Sequence, residues 1–200
     1  MIGHDNNIVA ASSGFSATID TSDNCPANDI PSCSDTPTEE SSDMWFQLPN
    51  LRCKNPSSLI IGFLNVNSIR KKFLCLKDIF MNELVDYFSI IETKIDDSFP
   101  DAQFTLNGFS LLRQDSSSTS GGLMTYIRSD IPHNRRSEFE INNTFIQSLC
   151  TEVTIDKEKW LITTVYKLPS SPPDAFYESL STITDMMLAV SCNIVIMGEC

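Results

Sequence analysis

The first 50 residues of this chain contain neither lysine nor arginine. A secretory leader opens on basic residues and carries an apolar core of about 7 to 15 residues, whereas the stretch around Ile8–Ala11 is shorter and follows Asp5, Asn6 and Asn7. Long apolar runs are missing too, since none approaches the roughly 20 residues that cross a bilayer. The expectation is a protein of the cell interior, cytoplasm or nucleus, with no membrane partner. Histidine is scarce, with only His4 and His133, and the seven cysteines form no Cys-x-x-Cys pair. That spacing excludes zinc-ribbon and thioredoxin-type sites, and an odd cysteine count reads as reduced thiols. Cys75 and Cys192 fall among apolar residues and are expected in the core, whereas Cys25 and Cys33 lie in polar surroundings. His4 and His133 are read as solvent-exposed, without a catalytic role.

The 200 residues carry 26 acids and 14 bases, a net charge of −12, with 41% hydrophobic residues. Length and composition fit one globular domain with a tail. Eight of the acids fall in the first 50 residues, which leaves 18 acids against 14 bases, a net −4, for the other 150. The acidic part is rich in Ser, Thr, Asp, Asn and Pro and shows no apolar periodicity, so it cannot bury enough surface to offset its ordering entropy. Residues 1–55 are therefore expected to form a disordered tail. Within it only Met44–Leu51 (MWFQLPNL) has the aromatic content of a protein-docking patch.

Residues 58–200 are dense in apolar segments separated by turn residues. Leu59–Val66 reads as a buried strand. Ser68 is placed to cap a helix whose face is Ile69, Phe73, Leu76, Phe80 and Leu84. Tyr87–Ile91 is a second strand, and the order strand, helix, strand predicts adjacent pairing in a helix-covered sheet. Five more strands are expected at Phe109–Arg113, Gly122–Arg128, Phe139–Ile141, Leu149–Ile155 and Trp160–Tyr166, with Ser116–Gly122 as a flexible connection. Ser171-Pro172-Pro173-Asp174 opens a helix with Phe176, Leu180, Ile183 and Met187 inward, and Asn193–Met197 closes the series as a strand.

Five blocks in this order carry a resemblance: FLNVNSIRKK (63–72), IIETKIDDS (90–98), GFSLLRQD with GGLMTYIRSDIP (108–132), TTVYKLPSSP (163–172) and NIVIMGEC (193–200). Together they resemble the endonuclease/exonuclease/phosphatase superfamily, and more narrowly the endonuclease domain of non-LTR retrotransposons of the jockey and chicken-repeat types. The resemblance implies an α/β fold, part of a four-layered α/β sandwich of two mixed β-sheets flanked by helices. It also implies Mg²⁺- or Mn²⁺-dependent phosphodiester hydrolysis, with target DNA as the partner and a nick that primes reverse transcription.

The chemistry accounts for the residue types. A phosphodiester is anionic, so its hydrolysis calls for a hard cation on carboxylate oxygen. Glu92 and Asn65, at the ends of neighbouring strands, are by resemblance the metal ligands, with Asn67 a second polar group toward DNA. Tyr166 would donate to the scissile phosphate. Glu199 falls where the family has an aspartate that orients the attacking water. Lys167, Arg113 and Arg128 are candidate contacts to the DNA backbone.

This sequence departs from the family's pattern at Gly198-Glu199-Cys200, where the family has Gly-Asp-Phe-Asn, and it does not include the later Ser-Asp-His block. Groups that act as a unit fail together, so negligible nicking is expected of this chain by itself, together with an exposed sheet edge. Two further readings stand beside the retrotransposon endonuclease fragment: a host phosphodiesterase or phosphatase of the same superfamily, and a domesticated nuclease remnant that binds a protein partner.

Overall fold

The structure, a computed structural model, describes residues 8–13, 48–191 and 193–199. Among the described residues nine strands fall into two mixed sheets. The first has the order β1-β2-β3-β5-β4, where β1 is Ile8–Ser13, β2 Leu59–Asn65, β3 Tyr87–Ile91, β4 Phe109–Gln114 and β5 Leu123–Arg128. Strands β1, β2 and β3 run parallel, and β5 and β4 complete the sheet in antiparallel pairings. The second sheet is β6-β7-β8-β9, from His133–Arg135, Ile146–Ile155, Glu158–Lys167 and Ile194–Glu199, with β8 and β9 parallel. Helices are α1 at residues 48–54, α2 at Phe73–Met81 and α3 at Pro173–Leu188.

The period-2 pattern of the strands builds four layers. In β2, Leu59 and Ile61 face the second sheet, while Ile60 and Leu64 face α1 and α2. In β8, Ile162 and Tyr166 face the first sheet, whereas Leu161 and Val165 face α3 through Phe176, Ile183 and Met187. Between the sheets the apolar packing is crossed by hydroxyls. Thr164 donates to Ser89 at 2.6 Å, Ser89 and Thr125 lie 3.1 Å apart, and Tyr87 reaches Thr151. Burial is the main cause that pushes the Tyr87 phenol up to about 12. At the end of the first sheet away from the site, buried Asp86 accepts from Arg52, Arg128 and the Ile60 amide.

Several expectations change. Residues 8–13 and 48–54 lie in the stretch read as unstructured, yet the first pairs with β2 and the second packs Leu48 and Leu51 on the α2 face of the sheet. Of Met44–Leu51, residues 44–47 are outside the described residues, as are His4, Cys25, Cys33, Cys192 and Cys200. Ser68 caps nothing: it sits at φ 82 and its amide donates to Glu92 O, so α2 starts only at Phe73, after Lys72. Ser171 is likewise no cap, because its hydroxyl is spent on Phe145 O and Pro172 takes the cap position. Phe139–Ile141 is not a strand. Ser137–Phe139 is a 3₁₀ turn, and the short strand falls instead at His133–Arg135, where His133 is half-buried with Nδ1 2.7 Å from Ile131 O. Cys75 lies on the solvent face of α2, while among the described residues Cys150 is the buried thiol, pushed up to about 11 mainly by burial. The Ser116–Gly122 segment is tethered rather than slack. Gly122 N donates to Gln147, and Ser118 O accepts from Arg70.

Candidate active site

Parallel strands bring their carboxyl ends to one edge, the place where α/β sheets gather ligand groups. In the first sheet Asn65 pairs with Ile91, and Glu92 follows; in the second, Tyr166 pairs with Glu199. All four residues converge on one cluster, joined across the two sheets. Asn65 Nδ2 donates to Glu92 Oε1 at 3.1 Å and to Glu199 Oε2 at 2.6 Å, and the Tyr166 hydroxyl donates to Glu92 Oε1 at 3.0 Å.

Local backbone explains why these side chains meet. Glu92 and Lys94 lie at φ 55 and 52, and Asn67 and Ser68 at φ 42 and 82, conformations that cost non-glycine residues energy and that collect at functional sites. The two kinks brace each other: Ser68 N donates to Glu92 O at 2.8 Å and Ile69 N to Thr93 O at 3.0 Å. On the other side Thr93 N and Lys94 N donate to Gly122 O and Gly121 O. Gly122 sits at φ +89, and a Cβ there would lie 2.3 Å from Thr93 Oγ1.

Electrostatics favour an ionised Glu92. Burial works to raise its pKa, but hydrogen bonds from Asn65, Lys94 and Tyr166, with the charge of Lys94, outweigh burial and hold the carboxyl below the usual glutamate range. Burial, the bond to Glu92 and the nearby charges of Glu92 and Glu199 raise the Tyr166 phenol, which therefore stays a donor.

Among the other sequence candidates, Asn67 is in the cluster, its amide on Asn65 Oδ1 at 3.0 Å and its own Oδ1 accepting from Lys94. Lys167 is next to Tyr166 at the end of β8. Arg128 is at the opposite end of the sheet, engaged by Asp86 and Asp130. Arg113 is bound by Asp101, Asp115 and Phe99 O and covers the Phe104 ring. Both arginines are held in ion pairs. Missed from the sequence was Lys94, two residues after Glu92, with Nζ 3.0 Å from Glu92 Oε2. Lys72, which donates to Val66 O, is also near; burial, then the charge of Lys94, lowers its pKa. Lys94 stands in the IETK block, which by itself does not mark it.

No protein-family model and no curated protein matches this chain. Solved structures do match. The endonuclease domain of TRAS1, a telomere-specific non-LTR retrotransposon, aligns with a TM-score of 0.52 at 10% identity, over 70% of this chain and 57% of that domain. The 3′ phosphatase NExo from Neisseria aligns at 0.49 and 15% identity, over 70% and 56%, and the Xenopus laevis APE2 catalytic domain at 0.49 and 16%, over 70% and 57%. The chain has the endonuclease/exonuclease/phosphatase fold and spans a little over half the length of these structures. None of its described helices is long and apolar enough to cross a membrane.

Proposed function

We propose that the cluster is the cation-binding half of a divalent-metal-dependent phosphodiesterase site that acts on DNA, of the kind used by non-LTR retrotransposon endonucleases. The observation that carries this reading is the bridge made by Asn65 between Glu92 and Glu199, which brings two carboxylates from different sheets onto one amide. Magnesium takes one or two carboxylates, keeps several waters and completes its shell with phosphate oxygen, so this donor set fits Mg²⁺ or Mn²⁺. A bound cation supplies neutralisation of the charge that develops on the leaving oxygen. Asn65 sets the spacing of the acids. The Tyr166 phenol, kept protonated, can turn its hydrogen from Glu92 to a phosphate oxygen. Glu199, at the strand end opposite, holds the attacking water in this reading. Asn67 and Lys167 at the rim supply polar contacts to the phosphate backbone. The folded part is at −4, so affinity for DNA rests on the cation and these local groups.

Mn²⁺ titration followed by electron paramagnetic resonance tests the reading. The 200-residue chain is expected to bind Mn²⁺, and Glu92→Gln to weaken binding by about tenfold or more. In a polypeptide that contains this chain and nicks supercoiled plasmid, the same change is expected to slow nicking at least about 100-fold. Undiminished Mn²⁺ binding by Glu92→Gln overturns the assignment.

A further inference from the structure

The cluster holds its own cation. Glu92 Oε1 is occupied by Asn65 and Tyr166, and its other oxygen, Oε2, meets only the Lys94 ammonium among the described residues, at 3.0 Å. The same ammonium donates to Asn67 Oδ1. Its position is set by backbone rather than by chance contact: Lys94 is left-handed at φ 52, its amide is fixed on Gly121 O, and the preceding Thr93 is fully buried with its carbonyl on Ile69 N. The side chains of Lys94 and Glu92 are 22% and 19% exposed, enough shielding from solvent for the charges to be felt and enough access for exchange.

We propose that Lys94 is a resident counter-ion that competes with a divalent metal for Glu92: it neutralises the carboxylate in the metal-free protein and must give up Oε2 when the cation enters. This rests on the metal reading above and adds a residue that sets the affinity of the site. It is a positioning residue, because it acts through Glu92. An ammonium on the ligand lowers metal affinity by the energy of the pair and by direct repulsion of a dication. Its release leaves a cation at the site's edge facing the anionic substrate, so metal loading and readiness for phosphate are linked.

The experiment is Mn²⁺ titration of the whole chain with Lys94→Met, Lys94→Arg and Glu92→Gln, each first checked for native far-ultraviolet circular dichroism. All three substituents at 94 face the same left-handed backbone cost, so Lys94→Arg controls for the fold. The expected result is Mn²⁺ binding tightened about threefold to tenfold in Lys94→Met, with Lys94→Arg close to the parent chain. Unchanged or weakened binding in Lys94→Met overturns the proposal while the metal reading stands, provided Glu92→Gln still loses binding. Absence of binding in the parent chain and in Lys94→Met overturns both.

Discussion

At Glu92 the balance of burial against three donors has a pH consequence. Its folded pKa lies below the ordinary value of 4.5, so the unfolded chain takes up the proton first. The stability that its ionised form contributes is complete above 4.5 and drains away as pH falls through the lower folded value. Thermal melts in the presence of a chelator, from ~pH 6 to ~pH 3, should show the parent chain losing Tm faster than Glu92→Gln below the glutamate range. A parallel decline in both would show that the network makes no such contribution. Glu92, Asn65, Tyr166 and Glu199 were legible because their blocks resemble a known family; the residues alone gave only polar groups at strand ends. Lys94 lies in the same block as Glu92 but is not marked by it, because an isolated lysine reads as solvated charge. The ion pairs that hold Arg113 and Arg128 combine local acids, Asp115 and Asp130, each two residues on, with Asp101 and Asp86, 12 and 42 residues away, and it is the distant partners that a sequence does not mark.

Among elements, the strands were legible from apolar runs, and the helix starts were not. Ser68 and Ser171 both have the side chain of a cap, but Ser68 is held at φ 82 by its own amide on Glu92 O, and the Ser171 hydroxyl is spent on Phe145 O. Strand β1 escaped because its six residues, IVAASS, hold too little apolar surface to declare a strand without the open edge of β2 beside them. The loop ahead of β5 carries the element-scale expectation. Gly122→Ala places a methyl against Thr93 Oγ1 on a left-handed backbone, and should destabilise the fold by about 1–3 kcal/mol in urea unfolding. It should also weaken Mn²⁺ binding, because Thr93 cannot shift without carrying Glu92. A stability loss with unaltered Mn²⁺ affinity would show that the kink is held by β2 and β3 alone.

For the whole molecule, the layers are fastened at both ends. At the end remote from the site, Asp86 joins α1, β2, β3 and β5 through Arg52, the Ile60 amide and Arg128. Its side chain is 3% exposed, so Asp86→Ala removes the acceptor of the buried Ile60 amide and one shared by two guanidinium groups, which retain Glu83 O, Ser58 O and Asp130. Urea unfolding should show a loss of about 3 kcal/mol with little change in m; a change under about 0.5 kcal/mol would mark the Asp86 contacts as dispensable. The residues alone, in the unbroken apolar run of β2, indicated only a buried strand in a helix-covered sheet; the layering was legible through the family resemblance. The hydroxyls between the sheets were not, since Ser89 and Thr164 meet only after both sheets exist.

The Asn65–Glu199 bond spans 134 residues and ties the second strand of the first sheet to the last strand of the second. Contacts so distant along the chain form only after nearer ones have lowered the entropy of closing the intervening loop. Glu92 is in place once β2 and β3 pair, but the second carboxylate arrives only when β9 docks on β8. The acid pair thus reports that β9 has docked: on a ribosome, where strands emerge in order, a chain that has not yet made β9 holds one carboxylate and cannot hold two.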